Sequence, residues 1–146
     1  MQKEYNLNRF IDSQMAYYKI ALNEVKNGEK KSHWMWFIFP QIKGLGKTSN
    51  SIFYSIEDIF EAREFMSNSY LKNNLLEISD AVLKSDKKSA YEIFESDAIK
   101  LKSSMTLFKH ATPDFPVFNN VLVKYYKGTE DIKTIELLQQ NASNSF

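Results

Sequence analysis

The residues best suited to chemistry are concentrated between positions 32 and 41, where the chain reads SHWMWFIFPQ. This block holds both tryptophans of the protein and His33, one of its two histidines. Trp34 and Trp36 are two residues apart, so their rings face different ways in a helix or in a strand. Packing in the core accounts for most of these side chains. One indole ring remains available to stack on a base or a sugar, with His33 and Gln41 as hydrogen-bonding groups.

A second candidate is the loop Gly44-Leu45-Gly46-Lys47-Thr48, whose last three residues match the end of a phosphate-binding loop. That motif needs a further glycine at position 41, which is Gln41 in this chain. No later apolar strand ends in an aspartate that could hold magnesium, so a nucleoside triphosphatase is disfavoured. The backbone amides of the loop and the Lys47 ammonium group can still contact some other anion.

A third candidate lies between positions 97 and 108, where Lys100, Ser103 and Ser104 recur at three- and four-residue steps. A helix places these side chains on one side, as a solvated polar face or as part of a ligand site. Neither serine lies in a Gly-x-Ser-x-Gly elbow, which disfavours a serine nucleophile. If the protein is an enzyme, we expect Asp97, near His33, to activate water, and these two are the candidate catalytic residues.

The composition disfavours several other kinds of site. The chain has no cysteine, which removes disulfides, thiolate nucleophiles and sulfur-ligated metals. Two histidines without an HExxH-type spacing do not suggest a metal site, so we expect neither a metal nor another cofactor. A net charge of +1 with only two arginines disfavours nucleic-acid binding.

The amino-terminal sequence and the apolar runs bear on the cellular location of the protein. The amino terminus lacks the pattern of a signal peptide, and the longest apolar run covers only residues 34–39. We therefore expect a cytoplasmic protein without membrane contact.

The charge is unevenly distributed along the chain: residues 1–50 have a net charge of +4 and residues 51–100 a net charge of −4. These segments either attract one another, or the first presents a positive face to an anionic ligand. The most acidic helical face is expected to be solvated or to face the basic segment: Glu57, Asp58, Glu61 and Glu64.

Helical periodicity dominates the elements that must position these residues. It predicts helices over residues 8–27, 55–66, 70–83, 90–94, 97–110, 116–127 and 131–139, with a loop at 40–50 and a segment at 33–39 that is either a helix or a strand. Helix caps are expected at Ser55, Ser89, Ser96 or Asp97, and Asp131. With 43% hydrophobic residues, the 146-residue chain predicts one all-α domain of about seven short-to-medium helices packed orthogonally. Its core spans residues 7–139, and residues 140–146 form a frayed tail.

The same segments carry a resemblance to a known family. Arg9-Phe10 with Gln14, the block at 32–41 and Gly44-Leu45-Gly46 resemble the signature of the bacterial domain of unknown function numbered 1810. Residues 100–108 resemble the second signature of that family, and the likeness extends from about residue 7 to residue 138.

The chain departs from the family after Leu71, where Lys72-Asn73-Asn74 replaces the usual glycine and arginine. The resemblance implies a single multihelical domain without a metal, and it implies no activity. Such proteins are sometimes labelled calpastatin-like, but no residue here supports a protease inhibitor. The layout is also similar to that of helical domains that act on ADP-ribose derivatives.

Two functions from different classes fit these observations. The first is binding or processing of a small, nucleotide-like anionic ligand such as an ADP-ribose derivative, with hydrolysis of a glycosidic bond as the reaction if the protein is an enzyme. The residues expected to contact this ligand are Trp34 or Trp36, His33, Gln41, Lys47, Lys100, Ser103 and Ser104. The second is a protein-interaction or regulatory module that uses Trp34 and Trp36 as an exposed anchor. A cleft bordered by both segments, 32–41 and 100–106, would favour the first, whereas a flat apolar tryptophan surface would favour the second. The oligomeric state stays open.

Overall fold

The structure is a computed structural model, which describes residues 4–143 and the side chains of residues 4–141. Within this range the chain forms an all-α domain with nine α-helices and one 3-10 turn at Glu95–Asp97. The helices are α1 (Asn8–Lys26), α2 (Met35–Ile38), α3 (Ser49–Phe53), α4 (Ile59–Ser67), α5 (Ser69–Leu83), α6 (Ala90–Phe94), α7 (Ala98–Ala111), α8 (Pro116–Tyr126) and α9 (Ile132–Ser143). The predicted fold class, a single all-α domain, is confirmed.

Helix α7 lies at the centre of the domain. It contacts α4, α6, α8 and α9, and its residues 103–108 are all buried. Phe108 packs between the rings of Phe65 on α4 and Phe118 on α8, at centroid distances of 5.3 and 5.9 Å. Burial on several sides explains why α7 shows little apolar periodicity, since a helix surrounded by neighbours needs no polar stripe.

Helix α1 forms one side of the core and packs against α2 and α5. Its buried residues follow the three- and four-residue spacing of an apolar helix face: Phe10, Gln14, Tyr18, Ala21 and Val25. The burial of the polar Gln14 side chain is compensated by two hydrogen bonds: its amide donates to the Phe37 carbonyl over 2.8 Å and accepts from Asn74 over 3.0 Å. A polar residue of α1 thereby fixes the position of α2.

The structure differs from the sequence prediction between residues 40 and 58. The predicted loop contains α3, which Thr48 caps by accepting from the Ser51 amide over 3.2 Å. Helix α4 begins at Ile59, so its cap is Asp58 rather than Ser55. The Ser55 hydroxyl instead donates to the Ile52 carbonyl, just after α3. The predicted helix over residues 55–66 therefore starts later, at Ile59, because Ile56 forms a parallel β-bridge with Ile42 between α3 and α4.

The acidic residues at 57–64 are divided between the amino-terminal segment, which Asp58 and Glu61 contact, and solvent, to which Glu64 is exposed. Glu61 is only 2% exposed and forms an ion pair with Arg9 over 2.9 Å. Asp58 accepts hydrogen bonds from the Tyr5 hydroxyl over 2.8 and 3.0 Å. A buried charge of this kind needs a partner, and Arg9 supplies it.

The carboxyl-terminal helix α9 continues to Ser143, beyond the predicted end at residue 139. The remainder of the predicted frayed tail, residues 144–146, lies outside the described residues. Among residues 4–143, no helix has the length and apolar character needed to cross a membrane.

Candidate functional site

A cleft with a volume of about 260 Å³ lies beside Trp36. Trp36 and Gln41 border it from one side, and Lys100 and Ser103 from α7 border it from another. Side chains from residues 32–41 and 100–106, which are far apart in the sequence, therefore meet at one cleft. The remaining border comes from the loop and helix at residues 42–55 and from the start of α9: Ile42, Leu45, Gly46, Ser51, Tyr54, Ser55, Asp131 and Lys133, together with Ile99.

The position of Trp36 follows from the shortness of α2. Met35, Phe37 and Ile38 of this one-turn helix are buried in the core, and Trp36 is the half-buried residue among them. Its indole Nε1 is nevertheless enclosed and has no hydrogen-bond partner among the described residues. An enclosed, unpaired donor costs about 1–3 kcal/mol, so this wall of the cleft is not optimised for stability alone.

Lys100 lies over the Trp36 ring, with its Nζ 5.8 Å from the ring centroid. The same Nζ is 2.9 Å from Asp97 Oδ1, and Asp97 Oδ2 is 3.1 Å from Lys30 Nζ. Burial acts to raise the pKa of the Asp97 carboxyl, but hydrogen bonds and charge from Lys100 and Lys30 outweigh it and lower the pKa. Ser96 or Asp97 was predicted to cap α7; Asp97 precedes the helix, but its side chain makes no capping bond and pairs with the two lysines instead.

Gln41 and Ser103 supply uncharged polar groups to the cleft. The backbone carbonyl of Gln41 accepts from the Ile56 amide over 2.8 Å, whereas its side-chain amide makes no hydrogen bond within residues 4–141. The Ser103 hydroxyl donates to the Ile99 carbonyl over 3.1 Å and keeps its lone pairs as acceptors. The Gln41 amide is thus the free donor and acceptor at this end of the cleft.

A second depression, of about 320 Å³, shares Trp36 and Lys100 with the first. It is also bordered by His33, Asp97 and Glu95. His33 is exposed, and its ring makes no hydrogen bond with the described residues. The two predicted catalytic residues, His33 and Asp97, therefore border one depression, Gln41 borders the other, and Trp36 borders both.

The loop that carries His33 is held by Glu24 of α1. The Glu24 carboxylate accepts from the backbone amides of Lys31 and Ser32 over 2.7 and 2.9 Å, from the Ser32 hydroxyl over 2.6 Å and from the Trp34 indole over 2.9 Å. Burial acts to raise the pKa of this carboxyl, but the hydrogen bonds outweigh it and lower the pKa to about 2. The sequence analysis missed Glu24, whose only sequence signal is its position on the helix that leads into the loop.

Three residues predicted to contact the ligand border neither depression. Trp34 is 0% exposed, because its ring packs against Phe39 and Phe94 and its N–H is bound by Glu24. Ser104 is also fully buried, since all faces of α7 near it are covered. Lys47 is exposed in the loop before α3 and does not border either depression, although Gly46 beside it does.

Glu95 is a site residue that the sequence analysis did not identify. It is exposed at the rim of the second depression, directly after α6. Its backbone has φ 51° and ψ −129°, a conformation in which glycine is the usual residue. No sequence pattern predicted a glutamate in that conformation.

No group of three or more His, Cys, Asp or Glu side chains in the described part of the chain is arranged to hold a metal ion. The polar groups around Trp36 are instead lysine ammonium groups, an amide, hydroxyls, an imidazole and carboxylates. Such a set can bind an anion and hydroxyl groups beside an aromatic ring.

The model of one protein family, described as "Protein of unknown function (DUF1810)", matches residues 4–138. The chain belongs to this family. It is also similar to the conserved hypothetical protein Rv1873 from Mycobacterium tuberculosis, whose crystal structure was solved at 1.38 Å, with 40% sequence identity and a TM-score of 0.89. The match covers 91% of this chain and 96% of that protein. No curated protein matches the chain. The DUF1810 match and the structural match agree on the fold, and neither description states an activity.

Proposed function

We propose that this DUF1810 protein binds a small, nucleotide-like anionic ligand in the cleft beside Trp36. The observation that carries the proposal is the convergence of Trp36, Gln41, Lys100 and Ser103 on one cleft from two distant segments. An aromatic wall, a cation and a few uncharged polar groups are the usual components of a small-molecule site.

The size and composition of the site support a nucleotide-like ligand. The two depressions that share Trp36 and Lys100 have volumes of about 260 and 320 Å³, which lie near the lower end of the range of about 300–1,000 Å³ that holds small ligands. The Trp36 ring can stack on a base, and Lys100 can pair with a phosphate. Lys133 adds a second cation at the border of the cleft.

The protein-interaction module is the weaker candidate. It required Trp34 and Trp36 to form a flat, exposed apolar surface, but Trp34 is 0% exposed and engaged with Glu24. Trp36 alone lines concave surfaces with polar borders. Hot spots in protein interfaces are aromatic too, so the choice rests on this concavity and not on the presence of tryptophan.

If the protein is an enzyme, His33 suits acid–base chemistry better than Asp97 does. A general base works best when its pKa lies near the operating pH. The pKa of Asp97 is lowered by two lysines, which makes its carboxylate a weak base. We therefore assign Asp97 to the positioning of Lys30 and Lys100, and His33, exposed at the second depression, remains the candidate for transferring a proton in glycosidic hydrolysis.

The proposal is tested by isothermal titration calorimetry with AMP, ADP and ADP-ribose, with inorganic phosphate as the anion control. We expect saturable binding of a nucleotide that Trp36→Leu weakens about tenfold or more, because base stacking on an aromatic ring contributes about 1–3 kcal/mol. Tyr91→Leu is the matched control, since Tyr91 is an exposed aromatic residue outside both depressions. Absence of saturable binding for every nucleotide would contradict the proposal.

A further inference from the structure

We propose that the second depression is a subsite for a polyhydroxylated group on the same ligand, and that the Glu95 carboxylate accepts hydrogen bonds from its vicinal diol. This inference rests on the proposed function and makes it more specific. The ligand would place its base in the cleft beside Gln41, a phosphate at Lys100 and a sugar beside Glu95 and His33.

The backbone at Glu95 is the first observation behind this assignment. Among the described residues other than glycine, only Glu95 and Lys127 have positive φ values. Lys127, with φ 57° and ψ 30°, has the left-handed conformation common at a helix end. Glu95, with φ 51° and ψ −129°, occupies a sparsely populated region that glycine adopts far more readily. Such outliers concentrate at functional sites.

The conformation of Glu95 determines how the chain passes from α6 to α7. The chain turns at Glu95, and the 3-10 turn through Asp97 then leads into α7. As a result Glu95, Ser96 and Asp97 all border the second depression. A glycine at position 95 would allow the same turn without strain, but it would leave the depression without this carboxylate.

The Asp97 and Glu95 carboxylates have different partners, and we therefore assign them different roles. Asp97 is paired with Lys30 and Lys100 over 3.1 and 2.9 Å. Glu95 makes no side-chain hydrogen bond or ion pair with any residue in the described part of the chain. A free carboxylate can only accept hydrogen bonds, so it selects a ligand group that donates them.

A vicinal diol fits such a group because it offers two O–H donors to the two carboxylate oxygens. The same chemistry recurs where an acidic residue binds the ribose hydroxyls of a dinucleotide. His33 borders the same depression and can accept or donate a further hydrogen bond. Lys100 borders both depressions, which places a cation where the phosphate would join the two halves of the ligand.

The test compares AMP with ADP-ribose, which carries a second ribose beyond its phosphates, on the wild-type protein and two variants. Glu95→Gln keeps the shape of the side chain and removes the charge, whereas Glu95→Gly removes the whole group and suits the backbone. We expect both variants to weaken ADP-ribose binding about tenfold and to leave AMP binding within about twofold. Glu95→Gly should also raise the thermal midpoint by a few degrees, on the order of 2–6 °C.

The outcomes separate this inference from the proposed function. If AMP and ADP-ribose both bind and both variants keep the wild-type affinity for ADP-ribose, the Glu95 subsite is wrong and the Trp36 cleft stands. If the variants weaken AMP as much as ADP-ribose, Glu95 acts on the whole site and the diol assignment is wrong. If no nucleotide binds the wild-type protein, the proposed function itself is wrong.

Discussion

The indole N–H of Trp34 donates to the Glu24 carboxylate over 2.9 Å. This contact joins α1 to the loop before α2, and it explains why the two neighbouring tryptophans have different roles. Trp34 is held in the core with its polar atom satisfied, whereas Trp36 is left at the border of the cleft. Glu24 therefore orders the segment that presents Trp36 and His33.

The first prediction concerns the stability that Glu24 provides. Glu24→Gln replaces a charged acceptor of four hydrogen bonds by an amide with one oxygen. We expect the free energy of unfolding in urea to fall by about 1–3 kcal/mol. Glu29→Gln is the control, because Glu29 is exposed near the same loop and makes no described side-chain contact. An equal effect of the two substitutions would show that Glu24 does not order the loop.

The second prediction follows from the lowered pKa of Glu24. The pKa lies at about 2 in the folded protein against an ordinary value of 4.5, so the ionised group stabilises the fold. This contribution is fully present above pH 4.5 and is lost as the pH falls through 2. The difference in unfolding free energy between the wild type and Glu24→Gln should therefore shrink between pH 4.5 and pH 2. A constant difference across this range, measured by urea unfolding at several pH values, would contradict the assignment.

The third prediction concerns Gly46, a residue of the loop before α3 that lies close to Ser51 in that helix. A Cβ at position 46 would lie 2.4 Å from Ser51 Cβ and 2.6 Å from its Oγ. We expect Gly46→Ala to cost about 1–3 kcal/mol of stability, because atoms close to the backbone must shift.

A double-mutant cycle with Ser51→Gly tests the cause of this loss. Ser51→Gly removes the atoms that clash, so Gly46→Ala should cost at least about 1 kcal/mol less in that background. Additive effects of the two substitutions, measured by urea unfolding, would rule out the contact. Because both residues border the Trp36 cleft, the single variant should also bind AMP more weakly.

The fourth prediction separates the two lysines that the sequence offered as phosphate ligands. Lys100 lies at both depressions, whereas Lys47 borders neither. Lys100→Met should weaken ADP-ribose binding about tenfold or more, since a charge-assisted hydrogen bond to phosphate is lost. Lys47→Met should leave the affinity unchanged. Calorimetric titration of both variants would contradict the placement of the site if Lys47→Met had the larger effect.

Much of the fold was predictable from local signals. The predicted caps at Ser89 and Asp131 are both present: Ser89 accepts from the Glu92 amide over 3.2 Å, and Asp131 from the Thr134 amide over 3.0 Å. The start of α4 was misplaced because Ser55 and Asp58 are both good capping residues. The Asp58 contact with Tyr5 and the bridge between Ile42 and Ile56 join residues that are remote in the sequence, and both favour a helix that begins after Asp58.

The candidate site was predictable as a set of residue types but not as a set of positions. The spacing of Trp34 and Trp36 indicated that their rings differ in direction, and it could not say which one is buried. That choice depends on Glu24, whose hydrogen bond to Trp34 spans ten residues. Similarly, the glycine-rich loop suggested Lys47, but the residues of that loop that border the cleft are Leu45 and Gly46.

The ligand site at Trp36 can be tested with the ¹H–¹⁵N spectrum of the two tryptophan indole groups. The chain has only Trp34 and Trp36, so two indole signals are expected, and Trp36→Phe assigns them by removing one. On titration with ADP-ribose, we expect a saturable shift of the Trp36 signal, whereas the signal of Trp34, which Glu24 holds in the core, should stay in place. No saturable shift of the Trp36 signal, or an equal shift of both signals, would contradict a ligand site at the Trp36 cleft.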